Sequence, residues 1–221
     1  MVLGGGYQTF FDQLVEFASA GTFAHEVKTA RDDYFSETGE VREDEPSFEA
    51  RMEAFTEWYV LDRVLPDRNQ TPLELFLAER RDALGAEELE VYRGLRDSYR
   101  SLFEFHKARK EHLIVRDLSS MRKLPIFERR QPYGLEKGAI FDARVVSFHG
   151  NDIFTRGIIH HPREARKVIL EEAKRSQDLP REEFARLRRR LSFARLRCDH
   201  YRRVDVSRLY RQILTSSDQQ P

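Results

Sequence analysis

A series of short period-two segments between Leu102 and Arg156, bracketed by helical patterns, limits what this chain can fold into. Phe103 and Phe105 alternate with Glu104 and His106, which predicts a strand with one apolar face and one wet face. Leu113 and Val115 repeat the alternation after the polar turn Lys107-Ala108-Arg109-Lys110. Ser119 and Ser120 then break the chain before Leu124, Ile126 and Phe127. The strongest strand follows Gly138. Ala139, Phe141, Ala143 and Val145 share one side of it, and Ile140, Asp142, Arg144, Val146 and Phe148 share the other. Gly150-Asn151 predicts a tight hairpin into Ile153, because such a pair tolerates positive φ. About five strands of four to eight residues make a sheet too small to leave its edges open. The expectation is an α+β protein with a small central β-barrel of the OB or SH3 kind. A five-stranded antiparallel sheet capped by helices is the alternative.

Ahead of the strands the apolar spacing turns helical. Phe10, Leu14 and Phe17 predict a helix over residues 7–20, ended by Gly21, with Gly4-Gly5-Gly6 as a loose tail before it. A weaker helix covers residues 23–35, and the acidic residues 36–46 predict a solvated loop. Ser47 stands as N-cap of a helix with apolar residues on most sides, which places that helix centrally. Thr71-Pro72-Leu73-Glu74 is a capping box with proline at the first helical position, and Gly85 suits the end of that helix. A further helix is predicted over residues 86–100. Beyond the strands, Pro162 and Pro180 each begin a helix. The second carries the stripe Phe184, Leu187, Leu191, Ala194 and Cys198, and Asp205 caps a last short one. The resulting division is an acidic helical unit over 1–100, the β module over 101–158 and a basic helical tail over 159–221.

Formal charge is zero for the 221 residues, yet it is unevenly spread. Residues 1–100 hold 22 Asp and Glu against 11 Lys and Arg, and residues 151–221 hold 10 against 17. Opposite ends of this kind predict neutralisation within the molecule or between copies, or a basic surface for an acidic partner or nucleic acid. No run approaches the roughly 18 apolar residues of a membrane span, and the first residues lack the pattern of a secretory signal. A single cysteine, Cys198, fits a reducing compartment. The expected location is cytoplasmic.

The sequence carries few signals of chemistry. His160 and His161 are adjacent and project to opposite sides of a strand, and Cys198-Asp199-His200 supplies two ligands with no second pair, so neither metal nor cofactor is expected. No glycine fingerprint for nucleotides and no nucleophile elbow is present, and Ser119 and Ser120 have no base beside them in sequence. No catalytic residue is assigned. Asp142 and Arg144 on one strand face are a candidate binding pair, with a half-buried structural ion pair as the plainer reading. The sharpest surface signal is eleven arginines and no lysine from Arg181 to Arg211. Their forked guanidiniums suit carboxylates and phosphates. Arg186, Arg189, Arg190, Arg197, Arg202 and Arg203 are the candidate partner- or phosphate-binding residues.

The segments Phe55–Leu61, Thr71–Leu77, Ser101–Phe105, Arg116-Asp117-Leu118 and Gly138–Val146 resemble a group of uncharacterised bacterial proteins with a helical front half and a small β module behind. The resemblance covers roughly residues 47–175. Some of those proteins end in a SEC-C motif, a cysteine-rich zinc-binding tail, which Cys198 alone cannot form. The resemblance implies architecture and no activity. The expected function is a non-catalytic intracellular adaptor that docks an acidic protein surface or a second copy of itself, with no membrane contact. The alternatives are single-stranded nucleic-acid binding by the barrel and arginine helix, and an enzyme of unknown class.

Overall fold

In a computed structural model, which describes residues 3–128, 135–177, 179–201 and 203–215, the period-two segments pair into one curled antiparallel sheet. Its strands are β1 (Tyr99–Arg109), β2 (His112–Asp117), β3 (Lys123–Phe127), β4 (Ile140–Phe148) and β5 (Asn151–Phe154), in the order β3-β2-β1-β4-β5. A short β6 (Ile159–His160) pairs with β4 beside β5. The curl brings β3 towards β5 without hydrogen-bonded closure, so the sheet is a half-barrel. Its concave side is filled by Phe103, Phe105, Leu113, Val115, Ile126, Phe141, Ala143 and Val145. Burying large apolar side chains of this type contributes roughly 1.5–3 kcal/mol each.

Helices cover the outer side of β4 and of the adjoining part of β1. At the front are α1 (Leu3–Ser19), α2 (Ala24–Thr38), α3 (Phe48–Leu61), α4 (Pro72–Arg80) and α5 (Ala86–Arg96). Behind the sheet come α6 (Arg166–Arg175), α7 (Arg181–His200) and α8 (Val206–Thr215). Alternate residues of β4 divide this outer side into three bands. Ile140 packs with the C-terminal helices, around Val168, Ile169, Leu187, Leu191 and Tyr210. Val146 and Phe148 join the front helices through Tyr7, Phe11, Tyr59, Phe76 and Tyr92. Asp142 and Arg144, both buried, lie between them. The front cluster also takes in Ile153 and Leu196, so it draws on all three expected segments.

Local signals account for most element ends. Thr71 accepts the Glu74 N–H and Glu74 accepts the Thr71 N–H, the reciprocal cap that starts α4. Asp205 Oδ1 accepts the Arg208 N–H at the start of α8. Several expectations need correcting. Gly4-Gly5-Gly6 belong to α1, where Gly6 lies against the Phe148 ring. Ser47 precedes α3, but its hydroxyl bonds Asp199 instead of the helix end. Gly85 is the N-cap of α5 and not the stop of α4, because the Glu88 carboxylate takes its N–H. That helix ends at Arg96, and Tyr99 and Arg100 already belong to β1. The hairpin turn is His149-Gly150, one residue earlier than expected; φ is 47° and 73°, positive at both turn positions. The residues expected to form a solvated loop are partly built in, with Thr38 and Gly39 packed and Val41 buried. Among the described residues no helix is long and apolar enough to cross a membrane.

Candidate binding surface

The charged band between the two helical cores ties every layer together. Arg100 of β1 places Nη1 2.8 Å from Glu57 Oε2 and Nε 2.6 Å from Asp142 Oδ1, and Nη2 donates to the Gly157 carbonyl at 2.5 Å. Arg188 of α7 reaches Asp142 Oδ2 at 3.5 Å. Arg144 pairs with Asp62, donates to Ser98 Oγ at 3.0 Å and lies 3.7 Å from Glu57. Three guanidiniums therefore face three carboxylates, and their formal charges cancel. Burial works against the Arg100 cation, yet Asp142 and Glu57 more than offset it and raise its pKa. For Arg188 burial dominates and lowers it. Asp142 and Arg144, the candidate binding pair, thus do not pair with each other. Both are buried joints of a structural network, which reaches the surface at Asp62.

The candidate arginines of the tail are mostly occupied. Arg186 is exposed and paired with Glu183 one turn away. Arg189 bridges Glu182 and, across the molecule, Glu37 of α2. Arg190 donates to the Ile213 carbonyl. Arg197 stacks over Tyr201 and Phe193. Arg203 is exposed, and Arg202 lies outside the described residues. Contacts between the acidic front and the tail do form, through Glu37–Arg189, Glu45–His200 and Ser47–Asp199. Arg51, fully buried in α3, crosses to α7 and donates to the Ser192 carbonyl and hydroxyl at 3.0 Å, and to the Thr38 and Gly39 carbonyls.

A cation cluster that the sequence did not single out lies on the β module. Strand β1 carries a bulge at His106, since Phe105 pairs with Val115 but Lys107 pairs with Ile114. Side chains alternate strictly along a strand, so one extra residue exchanges the faces beyond it. Lys107 and Arg109 therefore leave the concave side occupied by Phe103 and Phe105 and join the outer side with Ile114 and Arg116. Pairing of Arg116 with Lys123 brings β3 into the same row. The result is a cleft of about 420 Å³ lined by His106, Lys107, Arg109, Ile114, Lys123 and Lys137, with no carboxylate among the described residues of its wall. Lys107, Arg109, Lys123 and Lys137 form no ion pair among the described residues. His106 accepts a hydrogen bond from Arg116 Nε at 3.2 Å. Its pKa is lowered by partial desolvation and by the neighbouring cations Arg116, Lys123 and Lys137.

Glu104, expected on a wet face, is buried beside this cleft. It is held by Arg166 Nη2 at 2.5 Å and Arg116 Nη2 at 3.0 Å. Asp117 accepts Ser101 Oγ, Ser119 N–H and Oγ, and Ser120 Oγ, so those serines secure a turn. Burial pushes the Cys198 thiol up, which makes it a poor nucleophile. Among the described residues no three His, Cys, Asp or Glu side chains converge as a metal set.

Residues 36–193 match the model of a family of unknown function, DUF7986. The chain belongs to that family. Comparison with curated proteins and with solved structures gave no match. The DUF7986 segment contains the whole sheet, the charged band and the lysine-lined cleft, whereas Arg197 and Arg203 lie beyond it.

Proposed function

We propose that this DUF7986 member is a non-catalytic adaptor of the cytoplasm that docks an acidic segment of a protein partner on the outer side of β1, β2 and β3. The observation that carries the reading is the set Lys107, Arg109, Lys123 and Lys137, gathered around one cleft and forming no ion pair among the described residues. Unpaired surface cations of one sign steer an acidic partner and fix its register. The tail arginines are poorer candidates, because carboxylates, carbonyls and rings of the same chain already occupy them.

Single-stranded nucleic acid is the competing ligand for such a surface. It usually relies on exposed aromatic platforms, worth about 1–3 kcal/mol per stacked base. Here Phe103, Phe105 and Phe141 fill the concave core, and Phe127 is half-buried with its ring against His112. The acidic segment fits this surface better. The test is binding of a labelled oligoglutamate peptide by the full chain, before and after Lys107→Glu, Arg109→Glu and Lys123→Glu are combined.

A further inference from the structure

Next to the basic cleft, a larger cavity of about 1120 Å³ opens between β1, β2, the segment leading into β4, β6 and the start of α6. Five cationic side chains line it against three carboxylates. Glu104 is covered by Arg116 and Arg166, and Arg163 is paired with Glu136 at 2.8 Å. Lys137 and Lys167 form no ion pair among the described residues. Phe105, Leu135 and Ala139 supply an apolar portion of the wall.

His161 stands in the wall between this cavity and a smaller cleft of about 450 Å³ bordered by Cys198 and Arg195. The ring is only 8% exposed, and its Nε2 has no hydrogen-bond partner among the described residues. Nδ1 lies 3.0 Å from the Tyr210 hydroxyl. Burial raises the Tyr210 pKa and keeps the phenol protonated, and the His161 ring stays neutral. The phenol has no other acceptor among the described residues, so it donates to Nδ1, which leaves the ring proton on Nε2. A buried donor without an acceptor costs about 1–3 kcal/mol.

We propose that this cavity binds a small organic dianion of the phosphomonoester class, with Arg116, Arg166, Lys137 and Lys167 around the phosphate and the neutral His161 ring in the wall beside it. Two negative charges match the cationic excess of the wall. Three phosphate oxygens serve several donors at once, and the apolar wall receives the organic body. This goes beyond the docking reading and is tested with different residues.

Phenyl phosphate titrated into the full chain, followed by calorimetry and by the histidine side-chain nitrogen resonances, decides it. The expected result is saturable binding that shifts the His161 Nε2 resonance and weakens by about tenfold or more in Lys167→Gln. Lys137→Gln, which removes the other cation of the wall that forms no ion pair among the described residues, is expected to weaken binding similarly. The docking variant at Lys107, Arg109 and Lys123 is expected to leave phenyl phosphate binding within about threefold, since those residues do not line the cavity. Absence of saturable binding, or binding that neither cavity variant weakens, overturns the proposal. Binding of phthalate with none of phenyl phosphate overturns the assignment of the ligand class.

Discussion

Arg100 Nε stands 2.6 Å from Asp142 Oδ1, and both side chains are almost wholly out of water. The pair joins β1 to β4, and through Glu57 and Arg188 it reaches α3 and α7. Removing one member of such a set leaves its partners charged and unmatched, which costs more than the pair itself contributes. Asp142→Ala is therefore expected to destabilise the fold by about 3–5 kcal/mol in chemical denaturation. The exposed pair Arg96–Asp97 serves as the control. Asp97→Ala is expected to leave the denaturation midpoint nearly unchanged.

Gly157 sits where the sheet meets α3. Its N–H donates to Glu57 Oε1 at 2.9 Å, and a Cβ there would fall 2.8 Å from the Ala54 nitrogen. Neither the helix backbone nor the held carboxylate can yield cheaply. Gly157→Ala is expected to cost about 1–3 kcal/mol, with a matching drop in melting temperature.

Burial pushes the His161 ring down to about 4, from 6.5 when unperturbed. Between these values the unfolded chain takes up a proton that the native state refuses. The stabilisation is complete above pH 6.5 and falls as the pH drops, by roughly 3 kcal/mol at pH 4. Denaturation midpoints across this range are expected to fall less steeply in His161→Phe than in the parent. Equal slopes would show that the ring takes up its proton in the native state as readily as in the unfolded chain.

Thr71 and Glu74 satisfy each other's backbone donors at the start of α4. Thr71→Ala is expected to lower stability by about 1 kcal/mol, read from the same denaturation curves.

Where a local pattern and the tertiary contacts agree, the elements were legible in advance. The Thr71 box, the alternation of β4 and the stripe from Phe184 to Ala194 are of this kind. Tyr99 misled because it lies four residues beyond Leu95, a spacing that suits a helix face as well as the beginning of a strand. Gly85 misled because a glycine between two helices can end one or cap the next. Glu88 decides the matter by reaching back to the Gly85 N–H. Alternation assigned Glu104 to water, since nothing nearby announces that Arg116 and Arg166 will enclose it. The density of arginine in α7 drew attention to the tail, yet density does not reveal which guanidiniums the chain itself consumes. Lys107, Arg109, Lys123 and Lys137 are scattered over three turns and strands. Strand pairing and the bulge at His106 bring them together, and no periodicity marks that bulge.

The most direct measurement is fluorescence anisotropy of a labelled oligoglutamate peptide and of a labelled oligothymidylate with the full chain, over a range of salt. The account predicts saturable, salt-sensitive binding of the peptide that combined Lys107→Glu, Arg109→Glu and Lys123→Glu abolishes. It also predicts that Arg186→Glu, Arg197→Glu and Arg203→Glu leave that binding in place. Tighter binding of the oligothymidylate, or peptide binding that survives reversal on the sheet and fails with reversal in the tail, would contradict it.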